Sequence, residues 1–188
     1  MRRRSVRLLA ILAVVLLLGA TGATAAFARP SDYAVPNDKP YYGTWIYSNN
    51  LPFSDTIDVT QATVDAFDVN NTCASDDPGN TVWYRFRASS NVNLVLDTFG
   101  SSYDTEITVF TANGQYIDCN DDADNVLSNP VDPNNDVASY LNVQLKGGRT
   151  YLFRVGSYDN PAYCQTESSC AGVSDGALVF HVAKAATP

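Results

Sequence analysis

The chain has 188 residues, with 20 Asp or Glu against 12 Lys or Arg, so its net charge is −8. This acidity disfavours partners such as nucleic acids and anionic membrane surfaces, and leaves cations, neutral glycans and basic protein surfaces as candidates. The negative charge is explained equally well if the acidic residues only keep the protein in solution. The four cysteines form no CxxC pair and no cluster with histidine, which disfavours a zinc site or thiol redox chemistry.

Residues 1–28 have the pattern of a secretory signal peptide. Four arginines form a basic segment before an apolar run over residues 8–20, and Ala26-Phe27-Ala28 matches an A-x-A cleavage pattern, with cleavage after Ala25 as an alternative. The apolar run is too short to span a bilayer comfortably. We therefore expect a secreted, extracellular protein that is not embedded in a membrane. Removing residues 1–28 leaves 8 basic residues against 20 acidic ones, a net charge of −12.

The remaining sequence predicts one domain behind a short leader. Residues 29–40 contain three prolines and no periodicity, which is typical of an extended segment. Residues 41–188 are long enough for a single domain with its own core.

Short segments with alternating apolar and polar residues follow one another through this domain, which is the period of half-buried strands. The predicted strands lie at residues 41–47, 56–60, 81–87, 93–96, 105–111, 115–118, 139–145, 150–156 and 177–183. Their connections include an Asn113-Gly114 hairpin signal and a Lys146-Gly-Gly-Arg149 turn. No segment after residue 28 has a helical period. The sequence therefore predicts an all-β fold, an antiparallel β-sandwich or jelly roll of eight or nine short strands.

Four cysteines in an exported chain predict two disulfide bonds. Of the three pairings that are formally open, we favour Cys73–Cys119 with Cys164–Cys170. By the chain-entropy relation the first would stabilise the fold by about 4 kcal/mol and the second by about 2 kcal/mol, because the first closes the longer loop.

Two acidic turns bracket the predicted strand at residues 105–111 and suggest a calcium site. The predicted ligands are Asp97, Asp104, Asp118, Asn120, Asp121, Asp122 and Asp124. A run of carboxylates repels itself unless water or a hard cation neutralises it, and calcium takes six to eight oxygen ligands at flexible spacing. The run is not an EF-hand, since Ala123 replaces the glycine and Asn129 the closing glutamate. The alternative is that Asp97 and Asp104 cap turns while residues 120–124 form a solvated loop.

Aromatic side chains suggest a second kind of site, a stacking surface for sugar rings. The candidates are Tyr42, Trp45, Tyr47, Trp83 and Phe110. We expect Trp83 and Phe110 on the strand faces opposite the core, where a platform would need them. The alternative is that these rings pack beneath a loop or across a sheet.

The sequence contains no catalytic motif, and we predict no catalytic residues and no enzymatic activity. His181 is the only histidine and is expected to be an exposed strand residue. A Ser-His-Asp site would require an activated serine beside it. A secreted hydrolase with a carboxylate site is the alternative from another class of function.

Four segments together resemble the bacterial pre-peptidase C-terminal domain family. They are Val82-Trp-Tyr-Arg-Phe86, Asp97-Thr-Phe-Gly-Ser-Ser-Tyr-Asp-Thr105, Cys119-Asn-Asp-Asp122 and Gly147-Gly-Arg-Thr-Tyr151, and the resemblance covers roughly residues 37–184. It implies a jelly-roll sandwich that is usually appended to secreted enzymes, that binds calcium in some members, and that serves binding, targeting or stabilisation. Here the sequence predicts no catalytic domain beside it, which leaves open whether it serves a partner or works independently.

We therefore expect a secreted, non-catalytic accessory or binding module, stabilised by calcium, that engages an extracellular polysaccharide or protein surface. A purely structural domain that stabilises a partner secreted enzyme is the main alternative.

Overall fold

The computed structural model describes residues 35–64, 73, 78–123, 137–158 and 176–186. The predicted signal peptide, residues 29–34 of the leader, Asp124 and the Cys164–Cys170 pair lie outside these residues. Within the described ranges, no helix has the length and apolar character needed to cross a membrane.

In the part of the chain that the structure describes, nine strands follow a short 3-10 turn at Pro40–Tyr42. They are β1 (Thr44–Tyr47), β2 (Phe53–Asp58), β3 (Gly79–Arg87), β4 (Val92–Asp97), β5 (Thr105–Thr111), β6 (Tyr116–Asn120), β7 (Tyr140–Leu145), β8 (Thr150–Ser157) and β9 (Ala177–Lys184).

The strands form two sheets, with orders β1-β3-β8-β5-β6 and β2-β9-β4-β7. Strands β2 to β9 pair in a nested, antiparallel way: β2 with β9, β3 with β8, β4 with β7 and β5 with β6. Nested pairs of this kind arise when one long two-stranded ribbon rolls up into two sheets, which is the jelly-roll arrangement. The predicted sandwich is confirmed. Strand β1 departs from the antiparallel rule, since it pairs in parallel with β3 at the edge of the larger sheet.

The predicted strand boundaries differ most from the observed ones at β1 and β2, next to turns, and by no more than two residues at the other strands. Strand β1 begins at Thr44 because Pro40–Tyr42 form the 3-10 turn. Strand β2 occupies Phe53–Asp58 rather than residues 56–60, because its partner β9 begins opposite Asp58. The Asp58 carboxylate then accepts a hydrogen bond from the Thr60 backbone N–H at 3.0 Å, which turns the chain away from the sheet.

The core lies between the two sheets and is built from the alternate residues of facing strands. Val82, Tyr84 and Phe86 project inward from β3, and Leu178, Phe180 and Val182 from β9, all fully buried. The rings of Tyr84 and Phe180 are 4.5 Å apart between centroids. Burial of each side chain of this size contributes about 1.5–3 kcal/mol, so these alternating positions account for much of the driving force for folding.

A second buried layer covers part of the outer face of the five-stranded sheet. There the Arg154 guanidinium lies 3.2 Å from Oε1 of Glu106 and 3.1 Å from Oγ1 of Thr108, and both charged residues are only 1% exposed. Thr108 also donates a hydrogen bond to Glu106. The predicted Cys73–Cys119 disulfide is confirmed and attaches Cys73 to this face, where its backbone N–H approaches Glu106 at 3.4 Å.

Candidate functional site

The edge strand β1 presents two aromatic rings to solvent. Trp45 and Tyr47 are 43% and 44% exposed. They lie on the same face because residues two apart in a strand point the same way. Their ring centroids are 5.7 Å apart and the ring planes differ by 12°. The sequence candidates Trp45 and Tyr47 therefore form a nearly parallel, exposed pair.

Two arginines of β3 lie beside this pair. The parallel register places Arg85 opposite Trp45 and Arg87 opposite Tyr47. The guanidinium carbon of Arg85 is 4.5 Å from the centroid of the Trp45 ring, within the range of a cation–π interaction. Arg85 also donates a hydrogen bond to the Tyr41 carbonyl at 3.1 Å. We call these four side chains, Trp45, Tyr47, Arg85 and Arg87, the aromatic–arginine face.

The aromatic–arginine face combines two kinds of recognition chemistry. The faces of aromatic rings carry partial negative charge and attract weakly positive C–H groups, such as those of a sugar ring. Guanidinium groups supply several N–H donors in a fixed plane. Neither arginine was predicted as a site residue, although alternation with the core residues of β3 indicates that both point away from the core.

The expectation that Trp83 and Phe110 form an exposed platform is wrong. They are 2% and 5% exposed, and their rings pack together with centroids 5.8 Å apart. Both lie on the outer face of the sheet, as predicted, but in the buried second layer, where Arg154 lies 5.4 Å over the Phe110 ring. The alternation of apolar and polar residues indicates which face of the sheet a side chain lies on, but it does not indicate what covers that face. For Trp83 and Phe110 the alternative interpretation, packing across the sheet, is correct.

Tyr42 is partly buried and packs edge-to-face against Tyr41, with centroids 5.2 Å apart. Tyr41 is more exposed than Trp45 or Tyr47, and it was not predicted as a site residue. Its position next to Tyr42 in the aromatic segment at residues 41–47 is the signal that could have indicated it.

Asp97, one of the predicted calcium ligands, lies on the outer face of the four-stranded sheet. Its Oδ1 is 2.7 Å from Nδ1 of His181, and the Phe99 backbone N–H donates to the same oxygen at 3.3 Å. The carboxylate therefore caps the turn after β4 and holds the histidine of β9. His181 lies on the outer face as predicted, with this carboxylate as its partner.

The other predicted ligands that the structure describes lie near the start of β5 and the end of β6, where several of them form hydrogen bonds with nearby backbone groups. The Asn120 side chain accepts from the Tyr140 backbone N–H at 2.8 Å and donates to the Asp122 carbonyl at 3.1 Å. Asp118 and Asp121 each accept from the next backbone N–H, both at 3.0 Å.

Asp104 directly precedes β5, and its carbonyl accepts a hydrogen bond from the Tyr158 N–H at 3.0 Å. Among the residues that the structure describes, no group of three or more His, Cys, Asp or Glu side chains is arranged to hold a metal ion. Since Asp124 lies outside them, the calcium site stays a prediction.

Ser54, His181 and Asp97 lie in one row across β2, β9 and β4. These are the residue types of a hydrolytic triad, and the His181–Asp97 contact has the expected length. However, no hydrogen bond joins Ser54 to His181 in the described part of the chain, and the row lies on the outer face of a sheet. A serine nucleophile is usually activated by a hydrogen bond to a neighbouring base. We therefore assign the row no catalytic role.

No protein-family model matches the chain, and no curated protein matches it. The fold is similar to several solved structures. One is the pre-peptidase C-terminal domain of collagenase from Bacillus anthracis, with 15% identity and a TM-score of 0.40, covering 74% of this chain and 93% of that one. It belongs to the family that the sequence motifs resemble.

Two further solved structures have similar scores. PliG, a periplasmic lysozyme inhibitor of g-type lysozyme from Aeromonas hydrophila, has 13% identity and a TM-score of 0.37, covering 76% of this chain and 96% of that one. CorA, a surface-associated copper-binding protein of Methylomicrobium album BG8, has 16% identity and a TM-score of 0.37, covering 76% and 98%. At these identities and scores, what the three proteins bind is not transferred to this chain.

Proposed function

We propose that this chain is an exported, non-catalytic module that binds an extracellular carbohydrate through its aromatic–arginine face. The observation that supports this most is the nearly parallel pair Trp45 and Tyr47, exposed at the edge of the larger sheet with Arg85 beside it. Sugar rings have apolar faces that stack on aromatic rings, and their hydroxyl oxygens accept hydrogen bonds from guanidinium groups.

The position of the pair on the sheet supports this proposal. Strand β1 has four residues, and among the described strands it pairs with β3 alone, at the edge of the larger sheet. A ligand can therefore approach from the open edge as well as from the outer face. Each ring already packs against a neighbour, which reduces the side-chain entropy that is lost on binding.

A protein surface is the second candidate ligand. Trp, Tyr and Arg are the residue types enriched at the energetic centres of protein interfaces, and the aromatic–arginine face contains only these three types. In that case the module would attach to a partner secreted protein, as the accessory or stabilising role predicted from the sequence requires. Calcium bound at the acidic turns would stiffen the opposite end of the sandwich in either case.

The proposal is tested by affinity electrophoresis of residues 29–188 in gels containing cellulose, chitin or xylan derivatives, or other neutral polysaccharides. We expect Trp45→Ala to weaken binding roughly tenfold, equivalent to about 1.4 kcal/mol, and Tyr47→Ala to weaken it less. Tyr116→Ala is the matched control, since Tyr116 is 43% exposed on the opposite edge strand, β6. Equal mobility shifts for Trp45→Ala and the unmodified chain would reject this surface as the carbohydrate site.

A further inference from the structure

The two ends of the sandwich differ in charge. Arg87, Lys146, Arg149 and Lys184 lie at the end where β3, β7 and β9 finish and where β8 begins, and all four are exposed. No Asp or Glu of the described residues lies in the strand ends and turns that form this end. On a chain of net charge −8, this end is therefore a local region of positive potential, which we call the basic end.

A rigid turn positions Arg149 at the basic end. The Tyr151 hydroxyl accepts a hydrogen bond from the Lys146 N–H at 2.9 Å and donates one to the Lys146 carbonyl at 3.0 Å. The Arg149 carbonyl accepts from the Ala88 N–H at 3.0 Å. The guanidinium is thus carried by a backbone that is anchored to two strands.

Glycine is required inside this turn. A Cβ on Gly147 would lie 2.5 Å from the backbone of Ser90, and Gly148 has a φ of +75°. The Gly147 N–H donates to the Asn91 side chain at 2.9 Å, which closes the turn against the β3–β4 connection. The close approach explains why Lys146-Gly-Gly-Arg149 has this composition.

A cleft of about 490 Å³ opens between this turn and the β5–β6 hairpin. Arg87 and Arg149 line it together with the side chains of Asn113, Gln115 and Thr150. Arg87 donates a hydrogen bond to Oγ1 of Thr150, another residue of the cleft, at 3.4 Å. Clefts of roughly 300–1,000 Å³ with a few convergent polar groups are the usual size for small-ligand sites.

The cleft is continuous with the aromatic–arginine face. Arg87 belongs to both, because it pairs with Tyr47 on one side and with Thr150 on the other. A chain-like ligand that stacks on Trp45 and Tyr47 can therefore extend over Arg87 into the cleft.

We infer that the cleft binds a carboxylate group of an acidic polysaccharide, a polyuronate, whose neighbouring sugar rings stack on Trp45 and Tyr47. This inference rests on the carbohydrate-binding proposal and specifies the chemical class of the carbohydrate that is bound. A guanidinium group matches the planar, bidentate geometry of a carboxylate, and two arginines line this cleft. The amide and hydroxyl groups of Asn113, Gln115 and Thr150 match sugar hydroxyls. Because the acidic remainder of the protein repels a polyanion, binding is confined to the basic end and weakens as salt rises.

The test compares polygalacturonate and alginate with fully methyl-esterified polygalacturonate, which keeps the backbone and loses the charge. We expect the acidic polymers to bind at least roughly tenfold more tightly than the ester, equivalent to about 1.4 kcal/mol. Arg149→Gln and Arg87→Gln should each remove most of that preference. Lys39→Gln, a basic residue outside the basic end, should not. Unchanged thermal midpoints establish that the variants are folded.

Three outcomes would overturn this inference, and they differ in whether the carbohydrate-binding proposal survives. If Trp45→Ala weakens binding while Arg149→Gln and Arg87→Gln do not, the aromatic site stands and the cleft is overturned. If no polysaccharide binds at all, both fail. If single-stranded DNA binds as tightly as polygalacturonate and loses affinity equally in Arg149→Gln, the basic end is an unspecific polyanion surface and the inference is overturned.

Discussion

The hydroxyl group of Tyr84 donates a hydrogen bond to Oδ2 of Asp55 at 3.0 Å, which links the two sheets inside the core. Tyr84 is fully buried on β3, and Asp55 projects inward from β2 opposite Phe180. Burial, followed by the negative charge of Asp55, raises the pKa of Tyr84 well above its ordinary value. Both causes disfavour the tyrosinate, so Tyr84 stays protonated well into the alkaline range in the folded chain.

This shift predicts how stability depends on alkaline pH. The pKa of Tyr84 is higher in the folded chain than in the unfolded chain. The stability that this difference contributes is therefore complete below the unfolded pKa of about 10, and it is lost as pH rises toward the folded pKa. The unfolded chain then holds fewer protons than the folded one, so the free energy of unfolding falls. We expect Tyr84→Phe to be less stable at neutral pH, by about 1–3 kcal/mol, since Asp55 loses its partner.

The measurement is urea unfolding at several pH values between about 8 and 11. Tyr84→Phe should lose stability less steeply above about pH 10 than the unmodified chain. The control is Tyr47→Phe, because Tyr47 is exposed. Parallel pH profiles for Tyr84→Phe and the unmodified chain would contradict the assignment.

A second prediction concerns the buried pair of Glu106 and Arg154. Arg154→Ala removes the positive partner and leaves a buried carboxylate, which typically costs about 3–5 kcal/mol. The double variant Glu106→Leu, Arg154→Met removes both charges and should recover much of that loss. Chemical denaturation measures both effects.

Arg87→Ala is the matched control for this pair, because Arg87 is exposed on β3 and its loss should cost less than about 1 kcal/mol. If Arg154→Ala costs no more than Arg87→Ala, the pair does not contribute to stability in the way that its burial indicates.

A third prediction concerns the Cys73–Cys119 disulfide. The two cysteines are 46 residues apart in sequence, so replacing both with alanine should lower the free energy of unfolding by about 4 kcal/mol. The fluorescence of Trp83 should change as well, because the bond attaches Cys73 to the layer in which Trp83 is buried. A reductant should destabilise the double variant less than the unmodified chain, because only the predicted Cys164–Cys170 bond remains in that variant for the reductant to break. A double variant as stable as the unmodified chain would show that the bond is dispensable.

A fourth prediction concerns calcium. At a concentration one hundred times its Kd, a bound ion adds about 2.7 kcal/mol to stability. For a protein of this size, that raises the melting temperature by several degrees. Asp121→Ala and Asp122→Ala should reduce the increase, and EGTA should abolish it. Asp58→Ala, at an exposed carboxylate outside the predicted ligands, should leave it unchanged. Identical melting curves in calcium and EGTA would reject the site.

Local patterns predict much of this fold but little of its site. Alternation locates the strands because one face of each is buried, as Leu178, Phe180 and Val182 illustrate. The same alternation places Trp83 and Phe110 on the outer face and says nothing about the layer that buries them. The contact of Arg85 with Trp45 depends on the parallel pairing of β1 with β3, and partners about 40 residues apart leave no periodic signal between them.

The end of β9 has a practical consequence. Ala185 donates its N–H to the Asn93 carbonyl at 2.9 Å, which fixes the chain beside the start of β4 at the basic end. An affinity tag or a surface tether joined after residue 186 would therefore leave the fold at the basic end, the end that also carries Arg149 and the cleft. Immobilisation through that end would mask the surface under test, so sensors and beads should be attached through the amino-terminal side.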